Sequence, residues 1–426
     1  MSLFAAPSAG LETVDTREQA FISRERWVIT FLLALAITAF QVIFTLYWAD
    51  AGADVVGKYY SLNTYDSEWY AHIVNHGYML TTLPLEAEGN TMAHVGFFPG
   101  YPIASWILRS ITGFNTELSL LATAQIFTVG VWTYILLFLH RYRVRRKLQA
   151  VAVVTILAFP SAFFFVTGYS ESLFTFTLLG YLYWMTDDHP MAWIPAALHG
   201  FVMSATRIVG LPLLMLPFVR HWLRTRKIPA DLPPYIVALC TGLGASLFFL
   251  YCQGAFGDWN IYSHAQSYGW SVDPKFGAVF DPATYKLIMP ATSWDGFVDP
   301  NDVSRLSVPI IFALTIVVLL GEIVALLRHP RDPSRFDHII LLAAVCCMFF
   351  VTVSGLYTLG MRSVIRYMLP PFILLTIVAS SMILEFTFWN RWSSRVVWAL
   401  FSVAIALMFF VQAGHIDLHS HGIWVA

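Results

Sequence analysis

Charge is what this 426-residue chain has least of. Asp, Glu, Lys and Arg together make up 12% of it, against roughly 25% in soluble domains. That shortage excludes a soluble globular protein. The net charge of -1 hides a strong asymmetry along the chain and says nothing about partners, and nucleic acid is not indicated. Cysteine is also scarce. Cys240, Cys252, Cys346 and Cys347 all lie inside apolar runs, with neither disulfide-framework nor metal-site spacing. No internal repeat or low-complexity tract is visible, so residues 1–426 read as one integral membrane domain. The sequence holds no Asn-x-Ser/Thr sequon, which favours a prokaryotic plasma-membrane protein. The polar N-terminus and the run from Trp27 to Trp48 lack a small-residue cleavage site, so that run is expected to be a retained first helix.

What the chain has in abundance is hydrophobic residues, 58% of the total. Apolar runs lie near 27–48, 117–139, 148–168, 171–186, 191–219, 233–254, 306–327, 338–358, 366–388 and 393–413. Most reach the ~20 residues that span a bilayer. Basic residues punctuate them. Arg17, Arg24 and Arg26 precede the first run. Arg141 to Lys147, Arg220 to Lys227, Arg328 to Arg335, and Arg391 with Arg395 separate later ones, and these groups hold 17 of the 25 Lys and Arg residues. The positive-inside rule makes these segments cytoplasmic.

That assignment constrains the path. Residues 49–116 form a first external loop, and 255–305 a second. Between Pro99 and the basic segment at 141 only one crossing fits. Tyr101–Thr112, which carries Arg109, is therefore expected to be an interfacial helix. Both flanks of 191–219 are cytoplasmic, so this run is expected to be two half-length helices broken at Ser204-Ala205-Thr206-Arg207, near Gly210 and Pro212. Broken helices are tolerated where protein encloses them. The expected fold is an all-α polytopic membrane protein of about eleven membrane segments.

The same topology gathers polar residues at the external face. Tyr65-Asp66-Ser67-Glu68-Trp69-Tyr70 follows the first span. Glu171, Arg207, Asp258, His264, Arg362 and Arg366 arrive from distant parts of the chain. Ionisable groups in or near spans commonly line a functional cavity. Each also has an ordinary reading. Asp66 and Glu68 read equally as loop acids, Glu171 as a helix-start residue, and Arg207 as a structural ion-pair partner. Arg362 and Arg366 fit snorkelling anchors, and His264 fits a packing histidine.

Five segments, in order, resemble the motifs of the PIG-V family of mannosyltransferases, in the GT-C superfamily of membrane glycosyltransferases. They are Tyr65-Asp66-Ser67-Glu68-Trp69-Tyr70 running to Gly77-Tyr78; Phe97-Phe98-Pro99-Gly100-Tyr101-Pro102; Gly168-Tyr169-Ser170-Glu171-Ser172-Leu173-Phe174; Ser204-Ala205-Thr206-Arg207-Ile208-Val209-Gly210; and Ser363-Val364-Ile365-Arg366-Tyr367. His264-Ala265-Gln266 to Trp270 is a weaker match. Tyr65 stands where the family usually has Trp.

The resemblance implies a GT-C-like fold and inverting transfer of a hexose, mannose above all, at the external face. The donor would be a polyprenyl-phosphate-linked sugar. A glycolipid (a GPI-type precursor among them), a polymer or a protein would be the acceptor. On chemical grounds Asp66 is the candidate general base, with Glu68 the weaker alternative. Arg207 and Arg366, and after them Arg362, are candidates for the phosphate, and Glu171 for the acceptor or for an arginine. Tyr65 and Trp69 are candidates for stacking on sugar, and His264 for substrate binding. No cofactor is required by this scheme, and a divalent cation on Asp66 and Glu68 is an open option. The competing class is a transporter or flippase of a lipid-linked or anionic solute, because broken helices and buried arginines fit it too.

Overall fold

A computed structural model describes residues 24–49, 54–78, 94–291, 298–328, 333–382 and 391–425. Arg17, Arg331, the stretch 383–388 and parts of both proposed external loops lie outside them. Sixteen α-helices make up the described residues: α1 (Arg24–Trp48), α2 (Val55–Tyr60), α3 (Asp66–His76), α4 (Gly100–Thr112), α5 (Thr116–Arg141), α6 (Arg146–Ala158), α7 (Glu171–Met185), α8 (Trp193–Thr206), α9 (Leu216–Thr225), α10 (Pro233–Phe256), α11 (Ile261–Trp270), α12 (Pro300–Arg328), α13 (Pro333–Leu356), α14 (Val364–Tyr367), α15 (Leu369–Met382) and α16 (Arg391–Ser420). Six of them, α1, α5, α10, α12, α13 and α16, are long and apolar enough to cross a membrane. Their outward faces carry residues such as Leu32, Ile43, Leu247, Val317 and Leu407, as a lipid-facing surface requires. Helix α4 covers the segment 101–112 that was expected to lie at the interface. It turns Ile103, Trp106, Ile107 and Ile111 outward.

The bundle has two polar ends. At one, Arg141 pairs with Asp187 at 2.7 Å, Arg220 with Asp188 at 2.8 Å, and Arg224 bridges Asp188 and Asp337. Glu322 meets Arg335 and His338 deep between α12 and α13. Helix α7 runs from this end to the other. Its 15 residues span about 22 Å, and Glu171 begins it.

Four runs depart from the helices expected. The run 148–168 is not one span. Helix α6 stops at Ala158, and Phe159 to Ser170 forms turns and a short 3-10 helix, wholly buried. Pro160 ends the helix because it has no N–H to donate. The run 191–219 breaks at Arg207 as expected. Beyond the break, however, it continues as a 3-10 helix, Ile208–Met215, and then as α9, rather than as a second half-length α-helix. Pro212 and Pro217 lie in this stretch. The last two runs shift as well. Arg366 sits in the separate turn α14, and α16 continues to Ser420.

Unwound backbone inside a membrane bundle must find partners in protein. The Phe159–Gly168 stretch does so through side chains from four other helices. Gln412 donates to the Phe159 carbonyl at 3.0 Å and Gln41 to that of Ala162 at 2.6 Å. Thr128 donates to Phe165 at 2.5 Å and Ser67 to Gly168 at 2.9 Å. Trp132 Nε1 holds the Gln41 amide in place from its other side. A buried carbonyl deprived of its partner costs about 1–3 kcal/mol. We therefore expect Gln412→Leu, which keeps the side chain's bulk but removes its donor, to lower the thermal unfolding temperature in detergent. An unchanged midpoint would count against this role.

Candidate active site

Each break in the bundle delivers one charged side chain to the same place. The Phe159–Ser170 turn ends in Glu171. The α8 break presents Arg207. The turn between α13 and α15, where Met361 and Ser363 take positive φ of 64° and 63°, presents Arg366. Helix α3 supplies the fourth, Asp66, at its first position.

The four form a chain of ion pairs. Arg207 Nη1 donates directly to Glu171 Oε1. Arg366 Nε lies 3.1 Å from the same oxygen, and Arg366 Nη1 donates to Asp66 Oδ2 at 2.6 Å. Glu171 and Arg366 are 2% and 4% exposed. Two guanidiniums and two carboxylates balance, which makes their burial tolerable. The arginines are also packed by aromatic faces. Arg207 lies 4.3 Å from the Tyr367 ring centre, and Arg366 lies 5.1 Å from Tyr169 and 5.2 Å from Tyr367. Such contacts add cation–π attraction and keep the guanidinium planes fixed.

Helix α3 is docked rigidly against this centre. Ser67 and Tyr70 grip the turn before Glu171, the first through the Gly168 carbonyl and the second through the Ser170 hydroxyl at 2.9 Å. Tyr169 reaches back to the Thr64 carbonyl at 3.0 Å. A side chain at Gly168 would crowd Asn63 and Ser67, because a Cβ there would lie 2.1 Å from Asn63 Oδ1. Burial pushes the Tyr70 phenol well above its usual pKa, and Asp66 nearby adds to the shift. Tyr70 is therefore a hydrogen-bond donor and never a base here.

Tyr65, just before Asp66, has φ of 53° and ψ of -109°. That conformation is uncommon for a non-glycine residue and costs energy. It is held by the hydroxyl, which donates to the Gly422 carbonyl, and by the ring, which meets Trp424 edge-on at 4.9 Å. Tyr65 thus sets the direction in which α3 starts, and with it the aim of Asp66.

The remaining candidates are placed elsewhere. Asp66 and Glu68 stand on a helix, so they diverge by about 160°, and Glu68 is exposed. They do not form a shared chelate. Among the described residues no group of three or more His, Cys, Asp or Glu side chains is arranged to hold a metal. Arg362 is exposed, outside the ion-pair chain. His264, on α11, pairs at 3.0 Å with Asp258, which precedes that helix. Trp69 stacks on Phe97 and meets Trp270 edge-on at 5.7 Å, forming a half-buried aromatic cluster beyond α3. Tyr169 and Tyr367, which carry the guanidinium packing, had no role assigned from sequence. Their adjacency to charged motif residues was the available signal.

Glu171, Arg207, Arg366 and Tyr367 line a small cavity together with Phe174, Val209, Met348 and Pro370. It has room for about one water molecule. Glu171 Oε2 and Arg366 Nε are buried without hydrogen-bond partners. Removing one member of a buried ion pair typically costs 3–5 kcal/mol. Glu171→Gln leaves two guanidiniums facing each other and is expected to destabilise the protein by about 3 kcal/mol, read by detergent denaturation. Stability equal to wild type would contradict the pairing.

No family model matches the chain, and no curated protein matches it. Solved structures do. The oligosaccharyltransferase of Archaeoglobus fulgidus in its apo form superposes with a TM-score of 0.50 at 14% identity, covering 96% of this chain and 57% of that one. The same enzyme tethered to an acceptor peptide gives 0.50 at 13% identity, covering 92% and 56%. ArnT from Cupriavidus metallidurans, bound to undecaprenyl phosphate, gives 0.50 at 12% identity, covering 95% and 76%. The chain thus spans little more than half the length of the archaeal enzyme. At these identities the shared property is the fold: this is an all-α polytopic membrane protein of GT-C-like architecture.

Proposed function

We propose that this protein is an inverting membrane glycosyltransferase. It moves a hexose, mannose by its motif resemblance, from a polyprenyl-phosphate carrier to an acceptor hydroxyl on a glycolipid, polymer or protein. The reaction is placed at the external face of a prokaryotic plasma membrane, on the side opposite the basic segments. The observation that carries this reading is the convergence of Asp66, Glu171, Arg207 and Arg366 from four separate segments into one buried network. The GT-C-like fold adds to it. One structural neighbour was solved with undecaprenyl phosphate and another with an acceptor peptide, the two kinds of partner this reaction needs.

The chemistry follows from the residues. The acceptor oxygen attacks the anomeric carbon while Asp66 takes the hydroxyl proton. The bond from that carbon to the phosphate oxygen breaks, and the polyprenyl phosphate leaves as an anion with the bonding pair. Phosphate is a good leaving group, so no acid partner is needed, unlike the paired carboxylates of glycosidases. Arg207 and Arg366 stabilise the growing negative charge. Guanidinium offers forked donors matched to phosphate oxygens and stays protonated.

Purified protein supplied with polyprenyl-phosphate-mannose and a panel of acceptors should form a mannosylated product. Asp66→Asn should lower kcat by about 10²–10⁴-fold. Movement of the lipid between leaflets with no glycosyl transfer would favour the transporter class instead.

A further inference from the structure

We infer that in the resting protein the Asp66 carboxylate occupies the position on Arg366 that the donor phosphate takes, so that donor binding frees the base. This inference rests on the proposed glycosyltransferase reading. Three observations lead to it.

The first is charge balance. The cluster holds two guanidiniums and two carboxylates in a buried setting. Both guanidiniums are already paired with carboxylates, so a phosphate entering as a third anion takes an arginine only by displacing one of them.

The second is the unequal hold on the two carboxylates. Glu171 is gripped by both arginines and its side chain is 3% exposed. Asp66 joins the chain through Arg366, and its side chain is 14% exposed. Asp66 is the one that can leave. Glu171 then remains as a positioning residue that keeps the guanidiniums at a fixed spacing for the phosphate.

The third is the state of the base. The ion pair with Arg366 at 2.6 Å fixes where the Asp66 carboxylate points. Capture of Arg366 by phosphate releases that hold, so the carboxylate turns to an acceptor hydroxyl once a donor is bound. The expected binding order is donor first and acceptor second.

The test is the affinity of the detergent-solubilised protein for undecaprenyl phosphate, used as the probe. If Asp66 competes for Arg366, Asp66→Asn should tighten binding by about tenfold while transfer is lost. The effect must pass through Arg366. In an Arg366→Gln background the same Asp66→Asn change should leave the affinity unaltered, whereas a general effect of lost charge would persist there. Glu117→Gln, which removes an exposed carboxylate from the same end of the bundle, should leave the affinity at the wild-type value. Asp66→Ser serves as a second variant should Asp66→Asn not elute as a folded monodisperse species. Equal or weaker binding by both Asp66 variants, or tightening that survives without Arg366, overturns the inference. If Arg366→Gln weakens binding but the Asp66 variants do not tighten it, the phosphate reading stands and the competition fails. If the wild type does not bind the lipid phosphate, both fall.

Discussion

A backbone that unwinds inside a membrane bundle has no water to turn to, and this constraint shapes the protein. Helix α6 stops at Ala158 and the chain runs irregularly to Ser170 in full burial. That path exists only because Gln41, Thr128, Gln412 and Ser67 cap its carbonyls from α1, α5, α16 and α3. The same side chains fix where α7 starts, and hence where Glu171 lies. The α8 break is tied in a similar way. Ser204 donates to the Thr241 carbonyl at 2.5 Å, and Tyr181 donates to that of Leu213 at 2.8 Å. Ser304 does this for the third break, donating to the Met361 carbonyl and accepting from the Ile365 N–H, each at 3.1 Å. Each break satisfies its backbone locally and exports one charge.

Charges placed this way need one another. A lone Arg366, almost wholly buried, would cost several kcal/mol. The Glu171 carboxylate between the two guanidiniums removes that cost for both, and Asp66 completes the balance. The site is therefore also the joint that ties α3, α7, α8 and α14 together. A substitution here acts on stability and on chemistry at once. Activity loss alone does not identify a reacting group, so binding and transfer have to be measured separately.

Parts of this were legible in the sequence. Arg207, Gly210 and Pro212 in an apolar run marked the second break, because a charge and two helix-disfavouring residues are costly in a continuous span. Asp66, Glu171, Arg207 and Arg366 were singled out by type and setting. The first break was hidden, because Phe159 to Val166 is as apolar as any helix and only Pro160 marks the stop. The apolar run shows burial, and burial here coincides with unwound backbone. Glu68 was kept as the weaker alternative to Asp66, because two acids two residues apart share a face on a strand and diverge on a helix. The segment is a helix, so one acid faces the arginines and the other faces outward. The aromatic packing by Tyr169 and Tyr367 depends on long-range approach, which neither spacing nor composition encodes.

Neutrality also sets a tension in the proposed reaction. The firmer the hold of Asp66 on Arg366, the more stable the empty bundle, and the more strongly an incoming phosphate must compete. A weaker hold would favour the donor but leave a buried guanidinium underpaired when no donor is present. Tyr65 enters at this point. Its strained backbone aims Asp66, and that strain is stored against the contacts of its ring and hydroxyl with Trp424 and Gly422. A carboxylate held by a single ion pair beside a strained residue is easier to displace than one locked by two arginines. The difference between Asp66 and Glu171 is therefore built from backbone geometry as much as from charge, and it divides their roles between the group that moves and the group that stays.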